Sequence, residues 1–171
     1  MDSDPNVSFA TAARVAARIR EELVSIDRVV AMLGEALQND VSVEPPPVVV
    51  IHGLGGMVHD FYTGIEKLFG AISPHLNGCF PEGDRWHRDL LHSMTLDLQK
   101  IRPPVIRTES EHSLLPFLRF RHLYRNLYGF RLDWKRLKEL AESVFGVWNQ
   151  VKTDFDTFLE YLDALAGEAQ V

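Results

Sequence analysis

Cysteine is almost absent from this sequence, which has only Cys79 among its 171 residues. A single cysteine excludes an intramolecular disulfide framework and any multi-cysteine metal site, and it agrees with a reducing compartment. Long apolar runs are missing too, since none approaches the roughly 20 residues that a membrane span requires. The acidic, alanine-rich start also lacks the layout of a secretory signal. We therefore expect a cytoplasmic protein that does not enter a membrane.

Length and composition bound the number of domains. The chain is 46% hydrophobic and 25% charged over its 171 residues. That is enough for one ordinary globular domain with a real core, and too little for a second. We expect a single domain over residues 1–171, with a flexible start over residues 1–8.

The net charge of −6 argues against a protein that coats nucleic acid, but the charge is unevenly spread. Residues 101–131 carry six arginines and only two acidic residues, Glu109 and Glu111, which gives this segment a charge of +4. The rest of the chain has 12 basic and 22 acidic residues and carries −10. An acidic body with one basic segment can bind a phosphate backbone locally, more weakly as salt rises. Alternatively, these arginines pair with the acidic helices around them.

Patterns typical of strands, repeats or low complexity do not compete with a helical interpretation. The run Val48–Ile51 resembles a strand, but apolar residues continue at spacings of three and four as far as Ile72, which favours a helix. The same periodicity predicts helices over residues 9–37, 48–72, 84–98, 110–129 and from 133 almost to the end. The fold class that follows is all-α, an up-and-down bundle of about five helices with short loops.

Capping residues and prolines mark the ends of these helices. Asp84 and Asp133 are expected N-caps, Arg102-Pro103-Pro104 closes the third helix, and Gly129 is a natural stop for the fourth. The triple proline over residues 45–47 separates the first two helices. Glycines weaken the second helix by about 1 kcal/mol each relative to alanine, and close helix packing is the usual reason to tolerate them. These glycines are Gly53, Gly55, Gly56 and Gly64.

The segment Arg121–Tyr128, at the end of the fourth predicted helix, is the candidate working surface. A helical projection predicts two faces. The polar face holds Arg119, Arg121, His122, Arg125, Asn126 and Tyr128, and the packing face holds Phe117, Phe120, Leu123, Tyr124 and Leu127. Arginine forks match phosphate oxygens, and histidine can move a proton near neutral pH. RNA is therefore the first substrate to consider.

Other polar residues give weaker signals. His52 and His59, like His87 and His92, lack the spacing of four residues that holds zinc on a helix, so we interpret them as surface or capping histidines. The glycine-rich stretch over residues 53–56 lacks the lysine and serine of a Walker motif. The polar side chains Asp60, Tyr62 and Glu66 either line a cleft beside the fourth helix or, more simply, form buried hydrogen bonds.

Four stretches together resemble the HepT proteins of the HEPN superfamily. They are His59–Glu66, Trp86–Leu91, Arg102–Ile106 and Phe120–Leu132, in this order over most of the chain. The resemblance implies a helical protein, usually a homodimer, that partners an MNT-type minimal nucleotidyltransferase. It also implies a ribonuclease toxin that needs no metal or cofactor, with the signature arginine, four residues, histidine, any residue, tyrosine. The cognate nucleotidyltransferase, as antitoxin, silences such a toxin by adenylating the tyrosine.

In this sequence the signature arginine falls on Arg121 and the tyrosine on Tyr128, but Asn126 occupies the histidine position. An amide does not titrate near neutrality, so Asn126 can orient a phosphate or a water but cannot act as acid or base. His122, one turn earlier, is a possible substitute. Catalytic roles are expected for Arg121, Asn126 and His122, modification at Tyr128, RNA binding at Arg119, Arg125 and Arg131, and no metal site.

Two functions from different classes remain open. The first is a metal-independent RNA endonuclease toxin, acting on tRNA or mRNA and neutralised by the nucleotidyltransferase. The second is a catalytically inactive HEPN dimer that still binds the nucleotidyltransferase or a nucleic acid. The residue at position 126 separates them, because cleavage needs proton transfer as well as charge stabilisation.

Overall fold

The computed structural model describes residues 9–76, 81, 83, 85–126 and 132–167, and this part of the chain folds into α-helices. The helices are α1 (Phe9–Asn39), α2 (Val48–Leu76), α3 (Trp86–Ser93), α4 (Thr108–Asn126) and α5 (Trp134–Gly167). Within these ranges the only β-type pairing is an isolated bridge between Leu98 and Arg102. The all-α prediction is therefore confirmed.

Helix α2 is the centre of the bundle, because it packs against each of the other four helices. Its apolar stripe, which includes Phe61 and Phe69, is fully buried. Phe61 meets Phe117 of α4 edge to face, with ring centroids 5.2 Å apart, and Phe69 stacks on Phe155 of α5 at 6.2 Å. This aromatic core fixes α4 and α5 against α2 and so determines where the polar residues of α4 lie.

The glycines of α2 allow close helix packing at some positions and not at others. A Cβ at Gly64 would lie 2.6 Å from Cγ1 of Ile26 in α1, and a Cβ at Gly55 would lie 3.0 Å from the ring of Tyr124 in α4. At Gly53, nothing lies within 4 Å of the corresponding position. Packing therefore explains Gly55 and Gly64, whereas it does not explain Gly53.

The third helix is shorter than the sequence predicts, since α3 ends at Ser93 instead of near Leu98. The cause is the buried side chain of Arg102, which is 2% exposed. Its guanidinium donates to the carbonyl oxygens of Ser93 at 2.8 Å, Leu96 at 3.1 Å and Pro103 at 3.0 Å. Because this side chain satisfies those carbonyls, the chain can leave the helix there. Burial lowers the pKa of Arg102 to about 10, which still leaves it charged at neutral pH.

Helix α4, which contains the start of the candidate segment, and helix α5, which follows that segment, begin close to the predicted residues. Helix α5 begins at Trp134, and Asp133 accepts a hydrogen bond from the backbone N–H of Arg136 at 3.1 Å, as expected of an N-cap. Helix α4 begins at Thr108, two residues before the prediction. Its start is held by Asp154 of α5, which accepts from the backbone N–H of Arg107 at 3.1 Å and from Nε of Arg107 at 2.6 Å.

Candidate functional site

Three polar side chains from three different helices meet inside the bundle. They are Glu66 of α2, His87 of α3 and Arg121 of α4, and they are 8%, 7% and 9% exposed. Oε1 of Glu66 lies 2.6 Å from Nδ1 of His87. Nη1 of Arg121 lies 3.2 Å from Nε2 of His87, and Nε of Arg121 lies 2.7 Å from Oε2 of Glu66. We call these three residues the Glu66–His87–Arg121 cluster.

Arg121 lies on the buried side of α4, so its assignment to the polar face, opposite the packing face, was wrong. Arg121 follows Phe117 by four residues and Leu118 by three, and both of these are buried, so it continues the apolar stripe of the helix. Leu123, which was assigned to the packing face, is 49% exposed. Helix α4 is therefore rotated relative to the projection drawn from its polar residues, and its arginine points at α2 and α3.

The contacts within the cluster determine the positions of its protons. A guanidinium can only donate, so Nε2 of His87 must be the acceptor of the contact with Arg121. A neutral imidazole with a bare Nε2 carries its proton on Nδ1, which donates to Oε1 of Glu66. Nε of Arg121 and Oε2 of Glu66 form an ion pair whose N–H is not aligned for a hydrogen bond. The geometry thus requires an ionised Glu66, a neutral His87 and a charged Arg121.

The electrostatics of the cluster agree with a neutral imidazole. Burial lowers the pKa of His87 to about 4, helped by the positive charge of Arg121 and, less strongly, by His122 and Arg125. Burial raises the pKa of Glu66 to about 7, against the opposing charges of Arg121 and Arg125. The short contact between Glu66 and His87 alone would favour a charged imidazolium. Arg121, on the other ring nitrogen, prevents protonation of the imidazole. Ionised Glu66, neutral His87 and charged Arg121 occur together only above about pH 7, where Glu66 is ionised.

Two aromatic side chains enclose the cluster. The indole of Trp86 lies against the imidazole of His87, with ring centroids 3.4 Å apart. Tyr62, one turn before Glu66 in α2, is fully buried, and its hydroxyl has no hydrogen-bond partner among the described residues. Burial and the nearby carboxylate of Glu66 raise the pKa of Tyr62 far above its ordinary value, so it stays protonated. An unused hydroxyl therefore lies within electrostatic range of Glu66 and Arg121.

The solvent side of the cluster is formed by exposed residues of α4. The imidazole of His122 meets that of His87 edge to face, with ring centroids 5.2 Å apart. Arg125, whose charge acts on both His87 and Glu66, is also exposed, as is Asn126. Arg119 is exposed on another face of the helix, two residues before Arg121. Nδ2 of Asn126 donates to the carbonyl oxygen of His122 at 2.9 Å, within its own helix. The structure therefore brings His122 to the cluster and leaves the side chain of Asn126 turned away from Arg121. Tyr128 and Arg131 lie outside the described residues, as does Cys79.

Sequence reasoning missed one member of the cluster and left another open between two interpretations. His87 was interpreted as a surface or capping histidine, and this was wrong, because it is buried and bonded on both ring nitrogens. Its position three residues before Leu90 and four before Leu91, both buried, places it on the apolar stripe of α3. That spacing was the available signal. Glu66 fits both interpretations left open for it, since its bonds are buried and one of its partners is on α4.

The basic segment over residues 101–131 divides into structural and exposed arginines. Arg102 holds the turn after α3, and Arg107 pairs with Asp154 at 2.6 Å. The alternative that these arginines pair with acidic residues of the surrounding helices is therefore correct for Arg107, and for Arg121, which pairs with Glu66. Arg102 serves the fold through backbone carbonyl oxygens. Arg119 and Arg125 face solvent, and of these two Arg125 is close enough to the cluster for its charge to act on Glu66 and His87. An anionic ligand can therefore approach the cluster past Arg125.

Two further observations concern metals and membranes. In the described ranges, no group of three or more His, Cys, Asp or Glu side chains is placed to hold a metal ion. None of the helices described is both long and apolar enough to cross a membrane.

Residues 53–162 match the model of a protein family described as HepT-like protein. The chain belongs to the HepT-like family. The matched span begins in α2 and ends in α5, so it includes all three members of the Glu66–His87–Arg121 cluster and confirms the resemblance drawn from the sequence motifs. No curated protein and no solved structure matches this HepT-like chain.

The HepT-like cluster combines the groups needed for chemistry on a phosphodiester. Arg121 supplies a planar charge that fits phosphate oxygens, and His87 presents a bare ring nitrogen directly beside it. The carboxylate of Glu66 fixes the tautomer of that imidazole, as a carboxylate does in other sites where histidine transfers a proton. His122 and Arg125, both exposed residues of α4, lie next to the cluster on a side that faces solvent.

Proposed function

We propose that this HepT-like protein is the toxin of a toxin–antitoxin pair, an RNA endonuclease that works without a metal ion. The observation that carries the proposal is the position of Arg121, held between Glu66 and His87 and bordered by the exposed His122 and Arg125. Family membership supports it, because residues 53–162 contain this whole arrangement. We further propose that it acts in the cytoplasm on single-stranded RNA such as tRNA or mRNA.

The proposed reaction is attack by a ribose 2′-hydroxyl on the neighbouring phosphorus. Negative charge grows on the phosphate oxygens in the transition state, and the guanidinium of Arg121 is suited to stabilise it. Only RNA has the attacking hydroxyl, which is why RNA is favoured over DNA as substrate. No metal ion is required by this chemistry, because arginine and histidine provide the charge and the proton transfer.

The proposed partner is an MNT-type nucleotidyltransferase that neutralises the toxin by adenylating Tyr128. A homodimer is part of the same proposal. A two-fold interface would bring the same segment of α4 from two chains across one cleft, with the exposed arginines Arg119 and Arg125 available to a bound strand. RNA binding by Arg131 belongs to the same proposal.

A catalytically inactive dimer that binds the nucleotidyltransferase or a nucleic acid is the second candidate. Asn126 favours it, because the signature position holds no titrating group and its amide is turned to the carbonyl of His122. Cleavage distinguishes the two candidates directly.

The test uses purified full-length protein and single-stranded RNA or tRNA in excess EDTA. We expect cleavage by the wild type, and its loss in Arg121→Ala and in Arg121→Lys, since lysine keeps the charge without the planar fork. The matched control is Arg28→Ala, which removes an exposed arginine of α1, a helix that contributes no residue to the cluster. Circular dichroism checks that each variant is folded.

Two outcomes would contradict the proposal. Cleavage that requires an added metal ion, or that survives Arg121→Ala in a folded protein, excludes this mechanism. If the wild type binds RNA or the transferase but never cleaves, the inactive module is the correct function.

A further inference from the structure

We infer that His87, oriented by Glu66, is the general base that takes the proton from the ribose 2′-hydroxyl at the Arg121 site, in place of a histidine at position 126. The inference deepens the ribonuclease function proposed above and rests on it. His87 lies on α3, more than thirty residues before Arg121 in sequence, so it belongs to no local motif with that arginine.

Location is the first argument. Nε2 of His87 is 3.2 Å from Nη1 of Arg121, so a phosphate bound by this guanidinium brings its adjacent ribose beside the imidazole. A general base must lie within hydrogen-bond reach of the proton that it removes. Asn126 cannot be this base, because its amide does not titrate near neutral pH. Its amide is also bonded to the carbonyl oxygen of His122.

Orientation is the second argument. Oε1 of Glu66 accepts the proton of Nδ1 at 2.6 Å, which leaves Nε2 as the basic nitrogen. The indole of Trp86 covers the imidazole and limits its rotation. Glu66 is therefore a positioning residue, and it stabilises the imidazolium that forms when Nε2 takes a proton.

Charge is the third argument. In the free protein, burial and the charge of Arg121 keep the imidazole neutral, and a base must be neutral before the reaction begins. A bound phosphate anion offsets the charge of Arg121 and so raises the pKa of His87 towards its ordinary value. The substrate thereby strengthens the base that acts on it.

Access to Nε2 follows from the two contacts of Arg121. Its Nε stays paired with Oε2 of Glu66 at 2.7 Å while its Nη groups turn to the phosphate, which releases Nε2 of His87. In the step itself, the O2′–P bond forms as the P–O5′ bond breaks. The proton of the 2′-hydroxyl moves to Nε2 of His87, and O5′ takes a proton from solvent water. The products are a 2′,3′-cyclic phosphate and a 5′-hydroxyl, and His87 then returns its proton to solvent.

The first experiment measures single-turnover cleavage by His87→Gln and His87→Asn. Neither amide titrates, while glutamine keeps an acceptor near Arg121 and asparagine keeps a donor near Glu66, so at least one is expected to remain folded. We expect the rate to fall by about 10² to 10⁴ in both, with RNA affinity unchanged. The matched control is His112→Gln, an exposed histidine of α4, which should cleave like the wild type.

The outcomes separate this inference from the proposed function. If the wild type cleaves, Arg121→Ala does not, and folded His87→Gln and His87→Asn both cleave like the wild type, the ribonuclease function stands and His87 is not the base. If His122→Gln is inactive while the His87 variants are active, the base is His122. If the wild type never cleaves RNA, the proposed function and this inference fail together.

The second experiment tests the positioning role of Glu66 through the pH profile. The groups that face its carboxylate are Tyr62 on its own helix, His87 on α3, and Arg121 and Arg125 on α4, and His122 of α4 faces the ring of His87. The rate is measured at subsaturating RNA, where it reports the groups of the free protein and His87 titrates well below Glu66. Because Glu66 must be ionised to fix the tautomer, we expect this wild-type rate to rise through about pH 7. In Glu66→Gln, that rise should disappear, whereas the exposed control Glu160→Gln should keep it. A wild-type profile that is flat around pH 7, or a rise that persists in Glu66→Gln, contradicts this role.

NMR of the imidazole nitrogens gives a readout that does not depend on activity. At about pH 8, His87 should show a protonated Nδ1 and a bare Nε2 in the wild type. In Arg121→Ala the imidazole should become easier to protonate. A protonated Nε2 in the neutral wild-type ring would overturn the assignment.

Discussion

Nη1 of Arg121 lies 3.2 Å from Nε2 of His87, although the two residues come from different helices and are separated by 34 positions. The contact joins the arginine to which the family resemblance assigns the signature position to a histidine outside that signature. Although position 126 holds asparagine, this arginine therefore has an imidazole beside it.

The first prediction concerns stability and pH. The folded pKa of Glu66 is raised to about 7, so its contribution to stability is present below about pH 4.5 and is lost as the pH rises to 7. The folded pKa of His87 is lowered to about 4, so its contribution is present above about pH 6.5 and is lost as the pH falls to 4. Between about pH 4.5 and 6.5, folding therefore adds a proton to Glu66 and removes one from His87. As the pH changes, the two contributions to stability change in opposite directions in the wild type.

Single variants should reveal the separate effects. We expect the unfolding free energy of Glu66→Gln to fall as the pH falls from about 6.5 to 4, and that of His87→Gln to fall as the pH rises from about 4.5 to 7. Each slope is limited to about 1.4 kcal/mol per pH unit for one proton. Chemical denaturation at a series of pH values measures both. Parallel curves for the two variants and the wild type would show that the pair is not coupled in this way.

The second prediction concerns Asn126→His. Since Asn126 is exposed and its amide is turned to the carbonyl of His122, we expect a histidine there to change the cleavage rate by no more than about threefold. Single-turnover cleavage beside the wild type measures this. A gain of tenfold or more, about 1.4 kcal/mol in the barrier, would mean that the signature histidine is the missing base and would count against His87.

The third prediction concerns helix packing at Gly64. An added Cβ would lie 2.6 Å from Cγ1 of Ile26, so Gly64→Ala should lower the unfolding free energy by about 1–3 kcal/mol through overpacking. Gly70→Ala in the same helix is the matched control, because nothing lies within 4 Å of its Cβ position. There, the lower entropy of the unfolded chain should raise stability by about 0.4–1 kcal/mol. Urea denaturation measures both, and equal effects would exclude a specific contact with α1.

The fourth prediction concerns the proposed modification of Tyr128. Incubation with ATP and the cognate nucleotidyltransferase should add the mass of AMP to the wild type and to Tyr161→Phe, but not to Tyr128→Phe. Intact-mass spectrometry detects the change. Tyr62 is buried and is not expected to react. An unmodified wild type, or a modified Tyr128→Phe, would remove Tyr128 as the acceptor.

Local periodicity was sufficient to predict most of the fold. The helices α1, α2, α4 and α5 lie close to their predicted residues, because apolar spacing and the cap at Asp133 are local properties of the sequence. The end of α3 was not predictable in this way, because it depends on Arg102 reaching back to the carbonyl oxygens of Ser93 and Leu96. A side chain that terminates a helix from nine residues away leaves no periodic signal.

The candidate site was predicted only in part, for a related reason. Arg121 and His122 were identified from composition and from the family signature, but the projection of α4 placed Arg121 on the wrong face. The buried face of a helix is usually apolar, so an arginine is assigned there only when its buried partners are known. The partners of Arg121, Glu66 and His87, come from other helices. Pairing across helices is not encoded in the spacing within any one of them.

The shortness of α3 has a consequence for control of the molecule. Its eight residues bury only His87, Leu90 and Leu91, whereas the long helices α1, α2 and α5 each bury many more side chains. The element that carries the imidazole is therefore expected to undock at a lower free-energy cost than the bundle needs to unfold. Any molecule that traps α3 in an undocked state would separate His87 from Glu66 and Arg121, and so block the proposed RNA cleavage, while leaving the rest of the protein folded. Its release would restore the cluster without refolding of the bundle.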